Sequence, residues 1–383
     1  MISALTQFIR QQFIQDGSVS LHEPVFGAEE KKFVSDTIDS TFVSSVGHYV
    51  DRFEEELSTF VSAPKAVVTV NGTAALHAAL IVCDVKPKDL VITQPLSFVA
   101  TCNAISYCGA EPVFVDVDLA TMGLSPAAVA EWLDDNAEKR DGECPIAKAS
   151  GQRISACVPM HTFGHPVDID GLVAVCAAWN IPIIEDAAEA LGSFYKGQHV
   201  GTFGTVGTLS FNGNKIITTG GGGALLADEA VAARAKHITT TAKASKGFEY
   251  LHDEVGYNYR MPNLNAALGC AQLSKIDMFI SIKRQLAEDY AAFFDGYDVA
   301  FFKEPDGCRS NYWLNAVICN DRKQRDELLD ATNAAHIMTR PVWRLMSSLP
   351  MFANCLKGPM SNAEWLEDRV VNLPSGVPSS KFS

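Results

Sequence analysis

Short apolar runs alternate with amphipathic stretches along most of the chain. Residues 66–70 (Ala-Val-Val-Thr-Val) have the length and composition of a buried strand, and residues 90–93, 113–115, 154–158, 181–184 and 224–227 repeat the pattern. Between these runs the apolar positions take helical spacing over 72–82, 98–107, 126–138, 169–179 and 228–239. Upstream, residues 28–40 place Phe33, Val34 and Ile38 on one side of a helix, and 50–61 predict a second. Brief apolar strands alternating with helices predict an α/β fold: a mostly parallel central sheet covered by helices on both faces. Residues 263–294 predict a long helical region, and 312–318 a strand of a smaller C-terminal α/β domain. Polar stretches at 139–152 and 240–256 predict surface loops. The expected division is an N-terminal arm (1–20), a large cofactor-binding domain (21–255) and a small C-terminal domain (256–383).

Composition narrows the class. A chain of 383 residues has length for two or three domains. The formal net charge of −14 argues against a nucleic-acid footprint, although local charge in a cleft can oppose it. No apolar run approaches the roughly 18 residues of a membrane span, and residues 1–15 lack the layout of a signal peptide. Ten scattered cysteines without a C-x-x-C pair predict reduced, mainly buried thiols of a cytoplasmic protein. His161 and His165 near a strand end are too few for a metal site, and no metal is expected.

Candidate chemistry centres on Ser210-Phe211-Asn212-Gly213-Asn214-Lys215, followed by Gly220-Gly221-Gly222-Gly223. A single lysine stands between a strand-like run and glycines that permit close backbone approach to a ligand. A lysine in such a place can lose its proton and attack a carbonyl, as Schiff-base lysines do. Asp186 ends the run Ile181-Pro182-Ile183-Ile184-Glu185-Asp186, at the strand end where open α/β sheets bind ligands. Lysine with a carboxylate partner for a pyridinium nitrogen is the signature of pyridoxal 5′-phosphate (PLP). Asn71-Gly72-Thr73-Ala74 follows a strand and opens a helix, a geometry suited to phosphate.

Four segments carry a family resemblance: Val70-Asn71-Gly72-Thr73-Ala74-Ala75-Leu76, Glu185-Asp186-Ala187-Ala188-Glu189, Ser210 to Lys215, and Gly256-Tyr257-Asn258-Tyr259-Arg260-Met261. In these, and in their order, the chain resembles the DegT/DnrJ/StrS group of PLP-dependent nucleotide-sugar aminotransferases. Leu21-His22-Glu23-Pro24, Ser44-Ser45-Val46-Gly47, His161-Thr162-Phe163-Gly164-His165-Pro166 and Arg340-Pro341-Val342-Trp343 are similar to the LegC-like branch, which makes 4-amino sugars for nonulosonate and surface-glycan pathways. The resemblance implies PLP fold-type I, like aspartate aminotransferase. It implies Lys215 as the lysine that binds PLP and shuttles a proton, with Asp186 beneath the ring nitrogen. Gly72, Thr73, Ala74 and Ser210 would hold the phosphate, Phe98 would stack on the ring, and Glu189 would lie by the phenolic oxygen or ring face. Asn258 would reach the phosphate of a neighbouring subunit, making a homodimer with a shared site. Ser44, Ser45, His161, His165, Arg260, Arg340 and Trp343 are the candidates for sugar or nucleotide. The implied reaction moves an amino group from glutamate, leaving 2-oxoglutarate, to C4 of a UDP- or GDP-linked 4-keto-6-deoxy sugar. Amination at C3, or a non-catalytic binding or regulatory protein on the same fold, are the alternatives.

Overall fold

The computed structural model describes residues 1–13, 17–244 and 249–378. Parts of the expected arm (14–16), of the expected 240–256 loop (245–248) and of the small domain (379–383) lie outside the described residues.

The central sheet runs Lys65–Thr69, Gly223–Ala227, Val206–Ser210 and Ile184–Asp186. It continues through parallel bridges Cys157↔Ile183 and Met160↔Asp186 into Ile154–Val158, Leu90–Thr93 and Glu111–Phe114. Gly223–Ala227 pairs antiparallel with both its neighbours, and the other pairings are parallel. Successive residues of each strand point to opposite faces. Val67, Val91, Ala156 and Leu225 meet Leu76, Leu80, Ile105 and Ile238 on one side. Val68, Ile92, Cys157 and Leu226 meet Phe53, Leu57, Leu133 and Leu172 on the other. Both faces are therefore dry, which is why the strands read as unbroken apolar runs.

Helix starts are written locally. Asn71, Ser125, Asp168 and Asp228 each accept a hydrogen bond from a backbone N–H of the first turn of the helix they precede. The expected helical stretch 263–294 is two helices, Asn263–Leu273 and Ile276–Phe294. Between them Lys275 leaves helical geometry, and its ammonium binds both carboxylate oxygens of Glu30 at 2.7 Å. Asn263–Leu273 packs into the large core through Ala266, Ala267 and Cys270, on the far side of the expected division at residue 256. Residues 139–152, read as a loop, contain a hairpin of Ala137–Arg140 and Glu143–Ala147 turning at Asp141-Gly142, with Gly142 at φ +72°.

A second, antiparallel sheet orders Ala300–Phe301, Asn315–Ile318, Val370–Leu373 and Arg340–Pro341. The first helix, Ile2–Phe13, is part of this unit: Leu5 and Ile9 are buried with Tyr290, Leu328 and Val371. All ten cysteines are free thiols, and among the described residues no helix is long and apolar enough to cross a membrane.

Candidate active site

The parallel strands deliver their carboxyl ends to one edge of the sheet. Register places Thr69, Gly223 and Ser210 side by side, with Thr208 level with Asp186. A cavity of about 260 Å³ opens there, lined by Gly72, Thr73, Phe98, Asp186, Glu189, Ser210 and Lys215, with Thr101, Met160 and Asn212. Seven of the residues singled out in the sequence thus share one space.

One end of the cavity has the geometry of an anion cradle. Gly72 and Thr73 open the helix Gly72–Val82, where N–H groups precede the first intrahelical bond. The backbone there lies tight against the neighbouring strand: a Cβ on Gly72 would stand 2.8 Å from the Ser210 Cβ and 3.0 Å from its hydroxyl. Ala74 does not line the cavity; its N–H is donated to the Asn71 side chain at 2.7 Å, so it serves the helix cap. Gly72→Ala is expected to cost about 1–3 kcal/mol through overpacking and to remove the stabilisation that inorganic phosphate gives the wild type. Thermal melts with and without phosphate check this, and an unchanged pair of melts would refute the cradle.

At the other end stands Asp186, buried. Its Oδ2 accepts from the Thr101 hydroxyl at 2.6 Å and its Oδ1 from the Ala188 N–H at 3.1 Å. An ionised carboxylate has about four acceptor positions, so these two bonds fix its orientation and leave room for a ring N–H. Thr101 escaped the sequence reading. The available signal was its place three residues after Phe98, in the first turn of the helix Val99–Tyr107.

Lys215 follows a turn closed by its own N–H to Asn212 O at 3.0 Å. Its ammonium lies 3.4 Å from Glu189 Oε1 and 4.1 Å from the centre of the Trp313 ring. Trp313 was also missed. It is held by Nε1–H donating to Asn214 O at 2.6 Å and by its carbonyl accepting from Lys283 at 3.2 Å. Burial pushes the Glu189 carboxyl up to about 7, against the opposing pull of Lys215 and of the Phe163 N–H.

A larger cavity of about 640 Å³ adjoins at Asn214 and Trp313 and is lined by His22, Arg325, Arg340, Trp343 and Asn372. Phe98 links the two: it is half exposed at the start of Val99–Tyr107, and its ring meets Trp343 edge-on at 6.5 Å. The guanidinium of Arg340 donates to Asn333 Oδ1 at 2.9 Å and Thr339 O at 2.8 Å.

Other candidates lie elsewhere. His161 is fully buried and does not face either cavity. Its Nδ1 accepts from the Val167 N–H, so Nε2 carries the proton and donates to Glu185 at 3.1 Å. Glu185 also accepts from the N–H groups of Gly201, Phe203 and Gly204, each at 2.7 Å. His161 therefore belongs to a structural knot beneath the sheet, a correction to its reading as a sugar contact. His165 is corrected likewise: it is fully buried, edge-on between the Phe302 and Tyr312 rings. Ser44 and Ser45 line neither cavity; Ser44 offers its carbonyl to the Asn263 N–H at 2.6 Å. Asn258 and Arg260 also line neither cavity, and Asn258 Oδ1 accepts from Arg260 Nε–H at 3.2 Å.

The model of the DegT/DnrJ/EryC1/StrS aminotransferase family matches residues 24–380. GDP-perosamine synthase of Escherichia coli O157:H7 is 36% identical over 359 residues, 93% of each chain. GDP-perosamine synthase of Vibrio cholerae is 35% identical over 366 residues, 93% of this chain and 94% of the relative. Among solved structures, the aminotransferase TlmJ from Streptoalloteichus hindustanus superposes with a TM-score of 0.85 at 26% identity, covering 94% of both chains. Helicobacter pylori PseC, at 23% identity, TM-score 0.84 and 93% coverage of both, shares the fold.

Proposed function

The chain belongs to the DegT/DnrJ/EryC1/StrS aminotransferase family, and from that premise we propose that it uses PLP to transfer an amino group from glutamate to C4 of a GDP-linked 4-keto-6-deoxy sugar. The observation that carries the reading is the convergence of Lys215, Asp186 and the Gly72–Thr73–Ser210 cradle on one cavity. The GDP-perosamine synthase relatives support GDP over UDP as the carrier.

The donor set fits PLP at both ends. A phosphate suits the helix N-terminus, where a Cβ on Gly72 would crowd Ser210. A carboxylate with spare acceptor capacity suits a protonated ring nitrogen. PLP, when bound, supplies an aldehyde and a ring that withdraws electrons from a substrate carbon. Lys215 would hold the aldehyde end and later move a proton at Nζ. Asp186, oriented by Thr101, would keep the ring nitrogen protonated. Phe98 would cover the ring face, and the larger cavity beside Arg340 and Trp343 would take sugar and nucleotide. Guanidinium suits the diphosphate there.

Asn258 would act across a homodimer. Asn258 does not line the chain's own cavity, which supports this, as do the exposed apolar side chains Phe42, Val43, Val46 and Val255 on neighbouring segments. A cytoplasmic setting and a role in nonulosonate or other surface-glycan synthesis complete the proposal.

The test is a pair of half-reactions on the purified protein. Glutamate is expected to bleach the visible band of the PLP form, and a GDP-4-keto-6-deoxy sugar to restore it. Restoration by simple 2-keto acids and not by any nucleotide sugar would overturn the reading. Restoration by a UDP-sugar or a 3-keto sugar alone would overturn its GDP or C4 part.

A further inference from the structure

We propose that Glu189 is a second catalytic residue, the proton partner of Lys215: its carboxylate takes the proton that the Lys215 ammonium must lose before the amine can attack a carbonyl. The proposal rests on the reading of Lys215 given above.

Glu189 Oε1 lies 3.4 Å from Lys215 Nζ, with the two side chains 2% and 11% exposed. Two anchors hold it there. Its Oε2 accepts from the Phe163 N–H at 2.9 Å, and its main-chain carbonyl accepts from the Asn311 side chain at 2.9 Å. Among the described residues, Glu189 is the one carboxylate within ion-pair distance of Lys215. Asp186, the other carboxylate of the cavity, is turned to Thr101 and Ala188. The Trp313 ring stabilises the cation but has no site for a proton. His22, whose ring centre lies 6.5 Å from that of Trp313, is held well below its ordinary value by burial and by the charges of Lys283 and Lys215, so it is a poor acceptor.

The electrostatics fit the same role. A carboxylate at its ordinary value is a weak acceptor at neutral pH. Burial raises this one to about 7, the nearby Asp186 charge adds to the rise, and Lys215 opposes it. A base poised near the working pH balances availability against driving force. In the step, an N–H bond of Lys215 breaks and an O–H bond forms at Glu189 Oε1. The lysine becomes a neutral amine with a free electron pair, the glutamate a neutral acid, and no oxidation occurs. The reverse step returns the proton. An amide at position 189 could still accept from the Phe163 N–H but could not take the proton.

The experiment strips the full-length protein of PLP and follows, by visible absorbance, the rate at which it recaptures PLP as pH is varied around 7. In the wild type the rate is expected to rise with pH through about 7, as Glu189 loses its proton and becomes able to accept another. Glu189→Gln is expected to lose that rise and to capture roughly 100-fold more slowly at pH 7. Glu189→Asp keeps a carboxylate farther from Nζ, and is expected to keep the rise at a rate reduced about 10-fold. The cofactor's own titration is common to all variants and cancels in the comparison. A Glu189→Gln profile matching the wild type overturns the proposal. If that variant does not fold, Glu189→Asp capturing at the wild-type rate overturns it equally. Lys215→Ala separates the two claims: recapture by this variant as in the wild type would sink the lysine assignment itself, whatever Glu189 does.

Discussion

Lys215→Ala is expected to lower kcat/KM for transamination by about 10⁴-fold or more, because in the proposed mechanism it removes both the group that holds the aldehyde and the amine that moves the proton. The fold should survive. The Lys215 ammonium meets Glu189 and the Trp313 ring, and the backbone turn closed by the residue's N–H to Asn212 O is kept by alanine. Its loss does leave Glu189 buried without a counter-charge. Glu189 is already raised to about 7 with the lysine present, and Lys215 is the strongest influence holding it down. Without it the carboxyl rises further and stays protonated at neutral pH, so the buried charge is avoided rather than endured. The melting temperature should therefore move by only about a few degrees, the scale of roughly 1 kcal/mol. Steady-state rates measured beside calorimetric melts check this. A rate loss that merely tracks unfolding would show Lys215 to be structural, and persisting turnover would remove it from the mechanism.

Much of this site was legible because it is written in short local signals. Lys215 announces itself by its place before glycines, Asp186 by closing an apolar run, and Gly72 by opening a helix after a strand. Each is a backbone event with its own sequence punctuation. What escaped is long-range. Trp313 reaches Lys215 from 98 residues away, and nothing near it in sequence marks the contact. Thr101 meets Asp186 across 85 residues. His161 and His165 misled because a polar residue at a strand end reads alike whether it faces a ligand or a buried partner. Glu185 decides the first case and the Phe302 and Tyr312 rings the second. The hairpin at 137–147 is a different kind of miss. Its Asp141-Gly142 turn is a strong local hairpin signal, but the charged flanks lacked the apolar alternation expected of strands. The break after Leu273 was equally invisible, since Ser274 and Lys275 are compatible with helix and the kink answers to Glu30, 245 residues away.

The buried histidines that the site does not use set the largest expected effect on stability. His165 is held down to about 3 by burial, offset in part by Glu304, and His199 to about 4 by burial against the pull of the Val200 carbonyl. For His199 the geometry gives a second reason. Nδ1–H donates to Val200 O while Nε2 accepts from the Gly192 N–H at 2.7 Å, so a second proton would face a donor. Both native values lie below the ordinary 6.5, so the unfolded chain binds protons that the native state refuses. The stability these neutral rings contribute is intact above 6.5 and is lost as pH falls toward 4 and 3. At 1.36 kcal/mol per unit, each site removes about 3 kcal/mol between pH 6.5 and pH 4. Glu189 works in the opposite sense, since its raised value favours the native state in acid. The histidine contribution is therefore best isolated by difference. His165→Phe keeps an aromatic between Phe302 and Tyr312 and has nothing to titrate. Any packing cost of the larger ring is the same at both pH values and cancels. Denaturant unfolding at pH 7.5 and pH 4 is expected to show the variant losing about 3 kcal/mol less than the wild type on acidification. Equal losses in the two proteins would mean that His165 takes its proton inside the fold, and that the ring pocket opens to water before the rest of the molecule does.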